Sequence, residues 1–150
     1  MARTLKLERP LAVFDIESTG IVPQRDRIVE LAVIRIDPDG SIRKTVRRLN
    51  PQMPIPAGAT AVHGISDADV ADAPTFADIA EKLAAFLDGC DLGGYNITGF
   101  DIPMLEAEFQ RAGGGAGSAG ASETENFACT NPRSRSSFET ALSSSAILCL

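Results

Sequence analysis

Short runs of apolar and β-branched residues recur early in the chain and predict strands. Residues 11–15 (LAVFD) and 27–36 (RIVELAVIRI) are nearly continuous apolar runs, which are typical of strands that are buried on both faces of a sheet. Residues 37–40 (DPDG) are a turn signal, because proline and glycine suit tight turns. Residues 41–50 (SIRKTVRRLN) are more polar, so we expect a third, antiparallel strand at a sheet edge.

Helical spacing appears only after a proline-rich stretch. Residues 51–64 hold three prolines and two glycines, which predicts a long ordered loop. Thr75 can then cap a helix together with Asp78, and Gly89 is placed to end that helix. The apolar residues that follow the cap on one helical face are Phe76, Ile79, Ala80, Leu83, Phe86 and Leu87.

The last predicted elements are a strand at residues 91–96 (DLGGYN) and a helix at 102–111. Strands followed by helix, strand and helix indicate an α/β fold, with a mixed sheet and flanking helices. From residue 113 the chain is rich in glycine and serine, and no sustained period follows, apart from an apolar end at 146–150. We therefore divide the chain into an incomplete domain at residues 1–112 and a disordered or out-of-frame tail at 113–150.

The composition excludes several classes of protein. The 150 residues carry a formal net charge of −6 from 20 acidic and 14 basic residues, which disfavours binding to nucleic acid by bulk charge alone. No run approaches the ~20 apolar residues of a membrane helix, and residues 1–10 lack the apolar core of a secretion signal, so we expect a cytoplasmic protein with no membrane partner. The three cysteines form no Cys-x-x-Cys pair, which argues against a zinc site and a disulfide scaffold.

Asp15 and Glu17 stand close together at the end of the first predicted strand. Side chains at i and i+2 of a strand leave the same face, so the two carboxylates point the same way. Such a pair repels itself unless a cation lies between its members, and oxygen ligands suit Mg²⁺ or Mn²⁺. The spacing by itself favours an acid pair that only faces solvent, with the metal site as the alternative.

Four ordered segments carry a family resemblance. They are residues 14–20 (FDIESTG), 26–32 (DRIVELA), 61–66 (AVHGIS) and 96–101 (NITGFD). Together they resemble the motifs of the DEDD superfamily of 3′-to-5′ exonucleases. This superfamily includes RNase T and the DnaQ-like proofreading subunits of bacterial replicative polymerases, of which DNA polymerase III epsilon is one. The resemblance covers residues 10–112.

The resemblance implies an RNase H-like fold and a metal-dependent hydrolase that removes nucleotides from a 3′ end, in DNA replication or repair. Two divalent ions, Mg²⁺ or Mn²⁺, would activate a water and stabilise the leaving oxygen. By similarity, Asp15 would bridge both ions, Glu17 would hold the ion on the nucleophile side, and Asp101 would complete the site. An aspartate near a helix start also fits a helix cap, so Asp101 has a second interpretation.

The same resemblance assigns Thr19, Val62, His63 and Asn96 to substrate binding. Thr19 would let the backbone approach the scissile end, and Val62 lies in the loop that meets the terminal nucleotide. His63 would donate to the terminal sugar or phosphate, although a role in loop structure stays open for it. Asn96 would hold either the turn of the second motif or the substrate strand. The implied partner is a single-stranded 3′ end, with a polymerase as a second candidate partner.

A dense basic cluster falls on the third predicted strand and consists of Arg43, Lys44, Arg47 and Arg48. These side chains could guide a phosphate backbone. A solvated edge strand explains them equally well. Both interpretations place the cluster at the sheet surface.

The chain departs from the family after the second motif. The family has a fourth carboxylate there, closely preceded by a His or a Tyr. Here Asp101 is the last aspartate, no histidine follows His63, and Glu139 has no His or Tyr before it in the tail. The fourth ligand and the general base are therefore absent, and we expect the C-terminal part of the fold, with its last strand and helix, to be missing or replaced. The chain is then either an exonuclease domain, active or inactive, or a non-catalytic nucleic-acid-binding or polymerase-associated module.

Overall fold

The computed structural model describes residues 6–113 and 147–149. Within these ranges one mixed sheet contains five strands, β1 (Leu11–Ser18), β2 (Ile28–Ile36), β3 (Ile42–Arg48), β4 (Asp91–Gly94) and β5 (Ile147–Cys149). Four helices occur in the same ranges, α1 (Ala57–His63), α2 (Asp67–Val70), α3 (Phe76–Leu87) and α4 (Asp101–Gly113). The predicted α/β class is confirmed.

The strands pair in the order β3-β2-β1-β4-β5. β2 is antiparallel to both β1 and β3, whereas β4 is parallel to β1, and β5 is parallel to β4. The predicted antiparallel edge strand is confirmed, because β3 pairs only with β2 among the described strands and most of its residues are exposed. A parallel pair needs a crossover connection, and α3 lies on the connection that leads into β4.

The two faces of β1 differ in burial. Phe14 and Ile16 are 3% and 4% exposed and belong to the main core, whereas Asp15 on the opposite face is exposed. The prediction that β1 and β2 are buried on both faces is therefore wrong for the described residues. The reason is that α3 and α4 pack on the Phe14 face, and strand alternation sends every second side chain to the other face.

The main core joins this sheet face to the inner faces of α3 and α4. Phe76 at the start of α3 and Phe109 in α4 meet edge to face, with ring centroids 5.1 Å apart. Leu92 of β4 and Leu105 of α4 are buried in the same cluster. Each large apolar side chain buried in this way contributes roughly 1.5–3 kcal/mol. The packing therefore fixes where α4 begins relative to β1.

The start of α3 is the predicted one. The Thr75 hydroxyl accepts a hydrogen bond from the Asp78 backbone N–H, and the Asp78 carboxylate accepts one from the Thr75 backbone N–H. This capping box satisfies donors that the first turn of a helix leaves unpaired. α3 ends at Leu87, shortly before Gly89, whose φ of 71° is a conformation that glycine adopts easily.

The prediction of a long loop at residues 51–64 is wrong, because its last part forms α1. Its prolines all precede this helix, and Pro56 stands at the N-cap. Proline is well tolerated at a helix start, where its missing N–H would have no partner. Gly64 ends the helix with a φ of 76°. A second, smaller core lies under this segment and consists of Val29, Ile55, Ile65 and Val70.

The end of the chain also differs from the expectation. β5 pairs in parallel with β4, so residues 147–149 of the predicted tail form a short strand beside β4. Residues 114–146, with Cys129 and Glu139, lie outside the described residues. The division of the chain at residue 112 therefore stays a prediction.

Cys90 is buried, with its sulfur 3.6 Å from the Phe86 carbonyl oxygen. Across residues 6–113 and 147–149, no helix combines the length and the apolar character that crossing a membrane requires.

Candidate active site

Asp15 and Glu17 leave the same face of β1, as predicted. Their Cα partners on β2 are Ala32 and Glu30, so Glu17 stands opposite another carboxylate. Burial raises the pKa of Glu17, the charges of Asp15 and Glu30 raise it further, and the nearby His63 opposes them. Like charges opposite each other in a sheet are destabilising. This part of the sheet therefore carries unfavourable negative charge that a cation would relieve.

Asp101 reaches the acid pair as the first residue of α4. It is 4% exposed, and its carboxylate accepts a hydrogen bond from the backbone N–H of Ile16. Burial, together with the charges of Asp15 and Glu17, raises the pKa of Asp101 to about 6. An aspartate that only caps a helix is stabilised as an anion by the helix N-terminus. The opposite shift here favours the acidic-site interpretation over the cap.

The donor set of this site suits a divalent cation. Carboxylate oxygens are the hard ligands that Mg²⁺ and Mn²⁺ prefer, and burial together with the charges of Asp15 and Glu17 raises the pKa of Asp101. Among the described residues, no group of three or more His, Cys, Asp or Glu side chains is arranged to hold a metal ion by itself. An ion at this site would therefore need its remaining ligands from water or substrate, as Mg²⁺ commonly takes them.

His63 ends α1 and points back at β1. Its Nδ1 accepts from the Ile65 backbone N–H at 3.1 Å. Nε2 must then carry the ring proton, which it donates to the Ser18 carbonyl at 3.2 Å. Both ring nitrogens are engaged with backbone atoms, which favours the interpretation of His63 as a residue that ties α1 to the end of β1. Its predicted contact with the terminal sugar or phosphate stays a prediction.

Thr19 and Val62 differ in their access to a ligand. Thr19 is buried between β1 and β2, where its hydroxyl accepts from the Arg27 backbone N–H at 3.0 Å and its own N–H donates to the Arg27 carbonyl at 2.9 Å. These bonds close the loop and leave the Thr19 side chain no open face toward a ligand. Val62 on α1 is 84% exposed. The exposure of Val62 is compatible with its predicted substrate contact, and the backbone role predicted for Thr19 stays a prediction.

Asn96 is exposed at the start of the turn that leads from β4 to α4. Its φ of 47° lies in the left-handed region, which asparagine tolerates better than most residues. Its carbonyl accepts from the backbone N–H groups of Gly99 and Phe100, and a Cβ at Gly99 would collide with the Asn96 amide. These contacts favour the first of its two predicted roles, which is to hold the turn of the second motif.

Glu108 is a buried acid that the strand and motif patterns do not reveal. It is 1% exposed and pairs with Arg27 at 2.9 Å and with Arg111 at 3.3 Å. It also accepts from the Ile28 backbone N–H at 3.0 Å. Glu108 stands at i+7 from Asp101, a spacing that places both acids on one face of a helix. That spacing is the signal by which the sequence could have indicated a buried acid here.

The basic cluster on β3 is partly paired. Arg48 forms an ion pair with Glu30 at 3.2 Å, and Arg43 forms one with Asp37 at 3.0 Å. Both arginine side chains are about half exposed. Such pairs fit the solvated edge strand, which is one of the two interpretations of the cluster. Arg48 also brings one positive charge to the carboxylate opposite Glu17.

The fold and the acids together define the class of protein. A structure of E. coli exonuclease I in complex with a dT13 oligonucleotide has a TM-score of 0.63 and 22% identity to this chain, and the match covers 70% of this chain and 24% of that one. An apo structure of exonuclease I gives the same TM-score and identity, over 71% of this chain and 25% of that one. The mixed sheet with its flanking helices is therefore the RNase H-like exonuclease fold.

The sequence match identifies the family. The RNase T exonuclease family model matches residues 12–141, so this chain belongs to that exonuclease family. The match extends past residue 112, where the recognised motifs end.

Two relatives illustrate the family. A DNA polymerase III subunit epsilon-like protein of Rhodobacter capsulatus is 41% identical over 96 residues, which are 62% of this chain and 14% of that protein. DNA polymerase III subunit epsilon of Treponema pallidum is 30% identical over 95 residues, which are 63% of this chain and 44% of that protein. The chain spans less than half the length of either relative.

Proposed function

We propose that this chain is a metal-dependent 3′-to-5′ exonuclease domain that hydrolyses terminal phosphodiesters of single-stranded DNA. The observation that carries the proposal is the position of Asp101, a buried acid whose pKa is raised to about 6 by burial and by the charges of Asp15 and Glu17. A fold that assembles like charges at the end of one strand loses stability unless a cation joins them. The DNA-polymerase relatives and the oligonucleotide-bound exonuclease I support DNA as the substrate class.

Asp15, Glu17 and Asp101 would hold the divalent ions, Mg²⁺ or Mn²⁺. When bound, two such ions supply an activated water and charge stabilisation for the leaving 3′ oxygen. The exposed carboxylate of Asp15 is open to solvent and substrate, whereas the buried carboxylate of Asp101 is held in place by the Ile16 N–H. Val62 and Asn96 would contact the last nucleotides from α1 and from the turn before α4.

Among the described residues, the proposed site has no identified general base to take the proton of the attacking water. Asp101 is the last aspartate of the chain and His63 is its only histidine, and both His63 ring nitrogens already bond to backbone. The proton of the attacking water would therefore pass to solvent, which lowers the rate because a positioned base contributes about 10²–10⁴-fold. We expect slow turnover from this chain.

A second candidate function is a non-catalytic module that binds nucleic acid or a polymerase. It is favoured by the lack, among the described residues, of a set of three or more ligand side chains that could hold an ion by itself. A polymerase partner and a cytoplasmic location fit both candidates, because the similar proteins are named as parts of DNA polymerase III.

A cleavage assay separates the two. The full chain is incubated with a 5′-fluorescein single-stranded oligodeoxynucleotide and Mg²⁺ or Mn²⁺, and the products are resolved by gel. An exonuclease domain gives a ladder that shortens from the 3′ end, and Asp15→Asn abolishes it. Asp72→Asn is the matched control, because Asp72 is exposed and lies outside the acidic site. DNA that is retained but uncut, to the same extent by Asp15→Asn, would establish the binding module instead.

A further inference from the structure

Tyr95 is a large aromatic residue that the fold leaves in solvent. Its side chain is 85% exposed, and it follows directly after β4. It is the only tyrosine of a chain that has no tryptophan. Phe100, a few residues later, is partly buried and packs against the main core. Core packing therefore accounts for Phe100 and does not account for Tyr95.

The strand register places Tyr95 beside the acidic site. β4 runs parallel to β1, with Ala12 opposite Leu92 and Val13 opposite Gly93. The two strands remain in contact at the next position, because a Cβ on Gly94 would lie 2.8 Å from the Phe14 carbonyl oxygen. Tyr95 follows Gly94 and Asp15 follows Phe14 along their chains, so the two residues lie near each other where β4 ends.

Alternation of side chains along β1 and β4 indicates which residues lie on the face of the sheet that carries the acids. Leu92 is buried in the main core, as is Phe14 on the neighbouring strand. Residues at odd numbers on both strands therefore belong to the opposite face, which on β1 carries Asp15 and Glu17. The exposure of Tyr95 agrees with this placement. Tyr95 is the residue after the last strand position, so it lies at the strand end near Asp15 with its ring in solvent.

The turn after Tyr95 holds it there. Asn96 has a φ of 47°, and its carbonyl accepts from the N–H groups of Gly99 and Phe100 at 3.0 and 3.2 Å. This tight turn reverses the chain and leads directly into Asp101, the first residue of α4. Because Tyr95 and Asp101 flank one hydrogen-bonded turn, their backbone positions are fixed relative to each other.

We propose that Tyr95 is a stacking residue for the substrate strand, whose ring packs against a base of the single-stranded DNA end held at Asp15, Glu17 and Asp101. This inference rests on the proposed function. Bases stack on exposed aromatic side chains without regard to sequence, so Tyr95 would provide affinity for any single strand. Such binding also compensates for the acidic character of the chain, whose net charge of −6 repels a phosphate backbone.

The fluorescence of the chain gives a direct test, because Tyr95 is its only tyrosine and tryptophan is absent. Oligo-dT is titrated into the full-length protein in EDTA, which prevents cleavage, and Tyr emission is corrected for absorption by the DNA. Affinity is measured separately by anisotropy of a 5′-fluorescein oligo-dT. Stacking predicts saturable quenching of the Tyr95 emission at the Kd found by anisotropy.

Substitutions extend the test. Tyr95→Ala weakens binding by about 5- to 100-fold, the range that the loss of one stacked base corresponds to, whereas Tyr95→Phe and Tyr95→Trp keep it within about twofold. In the cleavage assay Tyr95→Ala raises KM and changes kcat little. Ile42→Ala is the matched control, because Ile42 is 67% exposed on the edge strand β3, at the end of β3 that pairs with Ile36.

The outcomes separate the inference from the function on which it rests. DNA binding with unchanged Tyr emission and an unaltered Kd for Tyr95→Ala overturns the stacking role and leaves the exonuclease proposal standing. Absence of DNA binding by the wild-type chain in EDTA overturns the stacking role, whereas the exonuclease proposal is decided by the cleavage assay with Mg²⁺ or Mn²⁺. Circular dichroism of Tyr95→Ala shows whether a weakened variant is folded, and Tyr95→Phe provides the same comparison with the ring retained.

Discussion

Helix α4 carries one buried acid at its first residue and a second about two turns further on, and the surroundings of the two acids are opposite in charge. Glu108 is 1% exposed and meets two arginines, Arg27 and Arg111. Asp101 is 4% exposed and faces Asp15 and Glu17. The two acids lie about 10 Å apart along the helix axis. One helix thus contains a buried acid that is paired with arginines and a buried acid that faces other carboxylates.

The difference shows that two buried acids of one helix can have different roles, one in holding the helix and one in the candidate site. The cluster at Glu108 ties α4 to the loop before β2, because Arg111 also donates to the carbonyls of Pro23 and Asp26 at 2.9 and 3.2 Å. This attachment holds the helix so that its other end brings Asp101 to β1. A paired buried acid thereby helps to position an unpaired one.

The largest expected loss of folding stability follows substitution of Glu108, the acid that is paired with arginines. Glu108→Ala leaves Arg27 and Arg111 without their shared partner, and removal of one member of a buried ion pair costs about 3–5 kcal/mol. Urea unfolding followed by circular dichroism measures this loss. Glu106→Gln, at an exposed position of the same helix, is the control and should change stability little. A Glu108→Ala protein as stable as the wild type would mean that the cluster does not hold α4.

Substitution of Asp101, the acid without a positive partner among the described residues, is expected to raise the stability of the protein instead of lowering it. The folded pKa of Asp101 is about 6, above its ordinary 3.8, so the folded state binds more protons between these values and the wild type loses stability as the pH rises through that window. Asp101→Asn removes this loss and should stabilise the metal-free protein near neutral pH by at most about 3 kcal/mol.

Unfolding in EDTA at pH values below and above this window tests the difference between the two ends. The stability gain of Asp101→Asn should shrink toward the acid side. A variant that is less stable than the wild type at neutral pH, or a gain that does not change with pH, would show that Asp101 is not an uncompensated acid.

The smallest expected loss of stability comes from the helix cap that the exposed Asp78 forms with Thr75. The Thr75 hydroxyl and the Thr75 backbone N–H lower the pKa of Asp78 in the cap of α3. Thr75→Ala removes part of this cap and should cost about 1 kcal/mol. Because the folded pKa of Asp78 is depressed, its contribution is present above pH 3.8 and fades as the pH falls through the folded pKa. Thermal unfolding of Thr75→Ala beside Glu81→Gln, a change within the same helix, measures the cost; equal values for both would contradict it.

Local patterns predicted the elements whose signals lie within a few residues. The capping box at Thr75 and Asp78, the polar edge strand β3 and the shared face of Asp15 and Glu17 are all visible in the chain. α1 was missed because its prolines signal a loop, although proline before a helix start is compatible with one. The last strand, β5, was missed because a three-residue strand has too few positions to show a period.

The sequence predicted which residues belong to the candidate site, but it did not predict the hydrogen-bond and ion-pair partners of these residues. Asp15, Glu17 and Asp101 follow from the motifs, but the occupied ring nitrogens of His63 and the buried hydroxyl of Thr19 depend on partners that lie far away in the sequence. The Glu108 pairing with Arg27 spans 81 residues. No local spacing indicates such a partner.

The sequence by itself determined which residues of this protein can carry charge, cap a helix or enter a strand, because those preferences arise from side-chain chemistry and near neighbours. Only the tertiary structure decided which acids are neutralised and which are not. That choice depends on packing α3 and α4 against one face of the sheet, which buries Asp101 beside Asp15 and Glu108 beside two arginines. The free energy of a buried charge depends on what lies within a few ångströms of it, and folding brings those neighbours from distant parts of the chain.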